Sequence, residues 1–322
     1  MTLNSIKTLV SEDFHAVNTV ILERIQSQSG LIDELANHII QSGGKRLRPL
    51  ILLLTSHACG YHGNQHILLA ATIEFFHTAT LLHDDVIDES NLRRGRETAH
   101  KIWGSKASIL VGDYLFTQYM QLLLDVGDIN IIQIFNKIAL EITCGELKQL
   151  SNRYQPAATL DDYFTIIRAK TSLLFAVAAQ LGAIINQAAP ALEQALFEYG
   201  LHLGNAFQLI DDALDYCASP DIMGKNIGDD LANGKATLPL LHALTQSTTQ
   251  QRQHILQTLR TGDRDAFPEV LQIIHATDAI AYTRNIATTE ITRAISALQL
   301  LPQSIYKDAL IQMAQDTIYR DH

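Results

Sequence analysis

Proline, cysteine and basic charge are all scarce in this chain, and each scarcity closes off a class of protein. Only 7 of 322 residues are proline. No Pro/Ser-rich, low-complexity or single-charge stretch divides the sequence, so one domain spanning 1–322, with a large buried core, is expected. The three cysteines, Cys59, Cys144 and Cys217, stand far apart without metal-ligand spacing and read as reduced thiols of a cytoplasmic protein. No uninterrupted apolar run reaches the roughly 18 residues of a membrane span. The opening MTLNSIKTLVSEDF lacks the basic segment, apolar core and small-residue cleavage site of a signal peptide. A net charge of -10 argues against a nucleic-acid partner.

What is abundant is helical periodicity. Segments such as DDYFTIIRAKTSLLFAVAAQLGAII and LEQALFEYGLHLGNAFQLIDDALDY repeat apolar residues at three and four positions over several turns, too long for strands. An all-α protein of ten or more helices is expected, with loops at 42–44, 60–64, 126–129 and 219–234.

Against this apolar background, two acidic clusters stand out. LLHDDVIDES carries Asp84, Asp85 and Asp88, and FQLIDDALDY carries Asp211, Asp212 and Asp215, the same Asp-Asp-x-x-Asp pattern 127 positions later. Asp is a poor helix former, and like charges at i,i+4 repel by about 0.2–0.5 kcal/mol on an exposed helix. One such cluster is equally well a solvated helix end. Two, each at the end of an apolar helix, suggest carboxylate clusters that face one another and bind a cation. Basic stretches lie near both. GGKRLRP holds Lys45, Arg46 and Arg48 beside two glycines and ahead of an apolar helix, which suits an anion. NLRRGRE holds Arg93 and Arg94 just past the first cluster, as ion pairs or as a phosphate grip. GKNIGDDLANGKATLP holds Lys225 and Lys235 after the second, without the spacing of a nucleotide-binding Walker loop. Hard oxygen donors beside cationic side chains suit Mg²⁺ carrying a diphosphate.

In this order the motifs GGKRLRP, H-x6-DDxxD followed by RRG, KT, FQxxDDxxD and GKNxGDDLxxGKxTLP resemble the trans-isoprenyl diphosphate synthases, over essentially the whole chain. The resemblance implies a helical bundle around a deep central cavity, a homodimer, and two or three Mg²⁺ ions per site. It also implies transfer of isopentenyl diphosphate units onto an allylic diphosphate such as farnesyl diphosphate, giving an octaprenyl-length product, within a hexa- to decaprenyl range, for a quinone side chain. By position, Asp84, Asp88 and Asp211 are then metal ligands supported by Asp85, Asp212 and Asp215. Arg93, Lys170 and Lys225, with Lys235 nearby, hold the allylic diphosphate. Lys45, Arg48, His77 and Arg94 hold isopentenyl diphosphate, and Thr171 and Gln208 line the reacting carbons. A lone histidine on an apolar helix is more often a core residue, but His77 lies seven residues before Asp84, on nearly the same face.

The same resemblance makes the residues before Asp84 spacers of the growing chain. Thr80 and Ala79 lie about one turn away, Phe76 and Phe75 about two. Early-stopping members carry a bulky aromatic where this chain has Ala79, so a long product is expected, with the cavity floor near Met120 to Leu124. Cys144 and Lys148 depart from the residues common in the family, which bears on length more than on activity. A terpene cyclase would lack GGKRLRP and the second DDxxD; a non-catalytic subunit would lose aspartates, and all six are present. Loose peripheral attachment to membranes is a further expectation, because the product is strongly apolar.

Overall fold

The computed structural model describes residues 2–26, 30–41, 44–155, 159–217 and 228–320. Among these the fold is all-α, the only strands being the two-residue pair β1 (Leu92–Arg93) and β2 (Arg96–Glu97). Contacts divide the chain into two compact units. The first comprises Met1–Asn136, Leu174–Gly200 and Ala297–Met313, the second Lys137–Leu173, Leu201–Ser296 and Ala314–His322.

In the first unit, α1 (Leu3–Thr8) and α2 (Ser11–Ile25) lead through α3 (Gly30–Gln41) to α4 (Leu47–Ala58) and α5 (Gln65–Ile87). Apolar residues make up most of α4, which is buried from Pro49 to Ser56. On α5, buried Leu69, Ile73, Phe76, Ala79 and Leu82 recur at three and four positions, so the helix is held by packing along most of its length. After α6 (Ala99–Trp103), α7 (Ser105–Val126) packs along α5. Phe76 of α5 meets Phe116 and Tyr119 of α7 and Phe135 edge-on, with ring centroids 5.6, 5.2 and 6.5 Å apart. Truncating a fully buried phenylalanine of this kind costs about 3–5 kcal/mol.

Helix α8 (Ile129–Asn152) leads to the second unit, which continues with α9 (Leu160–Ile167) and a single π turn, Arg168–Ser172. Almost all of α10 (Leu173–Ile184), the first part of α11 (Pro190–Leu214) and most of α17 (Ile305–Ile318) belong to the first unit; the second holds the rest of α11, then α12 (Asp229–Ala232), α13 (Leu238–Gln246), α14 (Thr249–Thr261), α15 (Phe267–Ala276) and nearly all of α16 (Ala279–Ala297). Tyr216, Leu240, Ile255, Val270 and Ile274 are core residues of this unit. The expected loop at 219–234 holds α12 in its described part; 218–227 lie outside the described residues. The run Leu160–Ile185 has the length and apolarity of a membrane span, yet 67% of its most apolar stretch is buried in protein, as in a core helix.

Candidate active site

Both acidic motifs occupy the same local position, the last turn of a long apolar helix and the residue just past it. Helix α5 ends at Ile87, with Asp88 as its cap donating its N–H to the Asp84 carbonyl at 2.8 Å. Helix α11 ends at Leu214, and Asp215 N–H donates to the Asp211 carbonyl at 3.1 Å. A helix C-terminus carries partial negative charge, which penalises carboxylates there unless a cation compensates. Local propensity therefore opposes both clusters, and the apolar helices before them impose their positions.

At the first cluster, Asp84 and Asp88 are partly exposed and Asp85 is fully buried. Arg93 grips Asp85 with two nitrogens, Nε donating at 2.9 and 3.0 Å and Nη2 at 2.7 Å. The grip depends on the β1–β2 hairpin, whose two-residue turn, Arg94 and Gly95, has φ of 54° and 75° at its two positions. Tight hairpins favour positive φ there, easy for glycine and strained for arginine. Arg94 lies against Gly44, where a Cβ would stand 2.6 Å from its Nη1. Gly44 of GGKRLRP thus makes room for an arginine.

Beside this hairpin, the Arg48 guanidinium donates to His77 Nε2 at 3.1 Å and lies over the Phe175 ring, 4.4 Å from its centroid. Burial first, then Arg48, Arg94 and Arg93, hold the His77 imidazole well below its ordinary pKa. The neutral ring therefore accepts from Arg48 and keeps its proton on Nδ1. Glu74, which the sequence did not single out, lies one turn from His77 with its carboxylate 3.6 Å from Arg46 Nε. Burial raises its pKa, and Arg46, Arg48, Arg94 and Lys7 oppose that rise. Lys45 is half-buried at the start of this stretch. The result is a cluster of arginines around a neutral histidine and one acid, an arrangement that selects an anion.

The second cluster has different partners. Asp212 is 3% exposed and accepts hydrogen bonds at 2.7 Å from Tyr163 Oη and from Gln208 Nε2. Gln208 Oε1 in turn accepts from Thr171 Oγ1 at 2.7 Å. Burial, then Asp230, pushes the Asp212 carboxyl up to about 7. Asp215 Oδ2 accepts from Asp230 N–H at 3.3 Å, and Arg320 Nη1 lies 3.1 Å from Asp211 while its guanidinium covers the Phe207 ring at 4.0 Å. Tyr163 and Arg320 are members of this site that sequence reasoning missed: a tyrosine in an ordinary apolar repeat and an arginine near the chain end offer no spacing signal. Lys235 Nζ sits 3.5 Å from Asp230, and Lys225 lies outside the described residues.

Thr171 and Lys170 fall in the π turn, where one extra residue per turn re-aims side chains, a frequent device at functional sites. Two glycines let neighbouring helices close on this turn. A Cβ on Gly145 would stand 2.2 Å from Ala169 Cβ, and one on Gly204 2.5 Å from Ser172 Cα. Lys170 is paired with Glu146 at 3.0 Å, one residue after Gly145. Lys148, the departure noted above, has a packing reason: its ammonium lies 2.8 Å from Asp162 and, by that hydrogen bond first, lowers the Asp162 pKa to about 2. Cys144 is exposed.

The model of the polyprenyl synthetase family matches residues 29–275. The chain belongs to the polyprenyl synthetase family. Along its whole length it is similar to an octaprenyl diphosphate synthase of Escherichia coli, 44% identical over 100% of both chains. It is also similar to a solved polyprenyl synthase from Caulobacter crescentus complexed with calcium and isoprenyl diphosphate, with a TM-score of 0.96 and 38% identity over 100% of this chain and 98% of that one. A decaprenyl diphosphate synthase from Rhodobacter capsulatus gives 0.94 and 38% over 100% of both. As a polyprenyl synthetase, the chain is a metal-dependent prenyltransferase acting on isoprenyl diphosphates.

Of the spacer positions, Ala79, Phe75 and Phe76 are buried, and Thr80 Oγ1 donates to the His77 carbonyl at 2.8 Å. Met120 and Leu124 are 41% and 59% exposed, whereas Tyr119, Leu122 and Leu123 of the same helix are buried.

Proposed function

We propose that this chain is an all-trans long-chain synthase that adds isopentenyl diphosphate units to an allylic primer such as farnesyl diphosphate, with octaprenyl diphosphate as product. The observation that carries it is the pair of aspartate-bearing helix ends, one beside an arginine cluster and the other beside the Thr171–Gln208 chain. The whole-length likeness to an octaprenyl diphosphate synthase favours that product length over the decaprenyl length of the Rhodobacter relative. We take residues 1–322 to work as one domain.

The donor set fits Mg²⁺: hard carboxylate oxygens at partly exposed Asp84, Asp88 and Asp211, beside buried Asp85 and Asp212, which Arg93, Tyr163 and Gln208 hold in place. Two or three Mg²⁺ ions bound there would neutralise the charge developing on the departing diphosphate. Asp85, Asp212 and Asp215 support the ligands by holding their neighbours in place. Arg93, Lys170, Lys225 and Lys235 bind the allylic diphosphate oxygens. Lys45, Arg48, Arg94 and neutral His77 bind isopentenyl diphosphate. With both anions held, the allylic carbon–oxygen bond ionises, the isopentenyl double bond attacks the cation, and a proton passes to the released diphosphate. Thr171 and Gln208, tied to Asp212, line the reacting carbons and exclude water. No side-chain nucleophile takes part.

Ala79, buried about one turn before Asp84, presents only a methyl group where a bulky side chain would stop the growing tail. The test is purified protein with Mg²⁺, farnesyl diphosphate and labelled isopentenyl diphosphate, the dephosphorylated products being sized by chromatography. All-trans octaprenol from wild type and shorter prenols from Ala79→Tyr are expected. Cyclised hydrocarbon, or no incorporation without a second subunit, would replace the reading by a cyclase or a regulatory subunit.

A homodimer is favoured by exposed Ile109, Leu110, Met120 and Leu124 on α7 and by Leu140, Leu147 and Leu150 on α8, an unusual density of bare aliphatic side chains. The enzyme is placed in the cytoplasm, with loose peripheral contact to membranes through its apolar product. Liposome flotation that leaves all protein unbound, with and without product, would remove that contact.

A further inference from the structure

Three helix ends of the first unit converge on a group that the prenyl-transfer reading does not use. Asp13 is the third residue of α2, His57 the next-to-last of α4 and His66 the second of α5. Asp13 Oδ2 lies 2.5 Å from His57 Nε2, and its Oδ1 lies 3.3 Å from His66 Nε2. All three donor atoms fall within 4.8 Å of one another. Bonds of about 2.0–2.2 Å to one ion require only small rotations from such a cluster.

His66 supplies an independent pointer. Its side chain is 6% exposed, and apart from the 3.3 Å contact of Nε2 with Asp13 neither ring nitrogen has a hydrogen-bond partner among the described residues. Buried imidazoles are ordinarily satisfied, so a ring with only a long contact from Nε2 to a carboxylate is organised for a partner other than protein. Both rings are also fixed in orientation. His57 stacks on Tyr306, with centroids 4.9 Å apart and planes at 18°, and His66 meets Tyr61 edge-on at 5.4 Å. Asp13 and His57 remain partly exposed, which gives an ion a path from solvent.

We propose that Asp13, His57 and His66 form a binding site for a borderline divalent transition-metal ion, Zn²⁺ foremost, that ties the ends of α2, α4 and α5 together. Two imidazoles and one carboxylate suit Zn²⁺ and leave a position for water; they do not suit Mg²⁺, which takes oxygen donors. His66 and Asp84 are 18 residues apart on one helix, about 27 Å at 1.5 Å per residue, so the site is separate from the aspartate motifs. Binding to the folded chain alone stabilises it.

The test uses tag-free, metal-stripped full-length protein, with millimolar Mg²⁺ present throughout to occupy the aspartate motifs. Titration with Co²⁺ should give one equivalent of saturable visible absorption that Zn²⁺ displaces. The band should be lost in His57→Gln and in His66→Gln, and kept in Asp84→Ala. His57→Gln, at a partly exposed position, guards against misfolding of the His66 variant. X-ray absorption of the wild-type Zn²⁺ form should show about two imidazole nitrogens. No saturable band in wild type, a band surviving in both histidine variants, or one lost in Asp84→Ala would overturn the proposal.

Discussion

The two acidic helix ends share a sequence pattern and a place on their helices, yet the middle aspartate of each is buried in an opposite environment. Asp85 is held by the bidentate Arg93 guanidinium. Asp212 is held by two neutral donors, Tyr163 and Gln208, with the carboxylate of Asp230 raising its pKa further. The middle aspartate of the first cluster is charge-compensated by an arginine, whereas that of the second is held by neutral donors, the cation Arg320 lying instead on its neighbour Asp211. Identical motifs thus report the ligand chemistry but not the local electrostatics, which come from residues outside the motif.

The largest effect that would sharpen this comparison is on catalysis. Asp84→Ala and Asp211→Ala should each lower turnover by about three orders of magnitude, roughly 4 kcal/mol of lost transition-state stabilisation, measured as isopentenyl incorporation at saturating Mg²⁺. A loss at only one would mean that the clusters do not share the reaction. Next is the pairing itself. Arg93→Ala should cost about 3 kcal/mol in urea unfolding, because it strands a buried carboxylate. In EDTA, Asp85→Asn should be destabilising by a similar amount, whereas Asp212→Asn should stay within about 1 kcal/mol of wild type, its charge having no protein partner to lose. Equal costs for the two would break the comparison.

A smaller effect concerns His77. Its folded pKa lies below the 6.5 of the unfolded chain. The unfolded state therefore takes up the proton first, and the stability present above pH 6.5 is lost as pH falls toward the folded value. Wild type should lose up to about 1.4 kcal/mol per pH unit more than His77→Gln in that window, read from urea midpoints at several pH values. Smallest is Tyr163→Phe, about 1 kcal/mol, since Gln208 still satisfies Asp212.

Much of this was legible in the sequence, for stated reasons. Three- and four-residue periodicity is a property of the chain itself, so the helices and the loops at 60–64 and 126–129 could be read directly. The aspartates were legible because they violate propensity at a fixed spacing. Other features depend on contacts that spacing does not encode. Arg93 reads equally as phosphate ligand or ion-pair partner until the hairpin turn at Arg94 and Gly95 brings it onto Asp85. The π turn under Lys170, closely packed at Gly145 and Gly204, looks helical in sequence. Glu74, Tyr163 and Arg320 occupy positions where their residue types are commonplace.

The most direct test of the central claim, that both aspartate clusters hold the metal on which the allylic diphosphate binds, is calorimetric titration with a non-ionisable thiolo analogue of farnesyl diphosphate, with and without Mg²⁺. Wild type should bind the analogue tightly only when Mg²⁺ is present, and Asp84→Ala and Asp211→Ala should each lose that metal-dependent gain. Tight binding without metal, or an undiminished gain in either variant, would contradict the account.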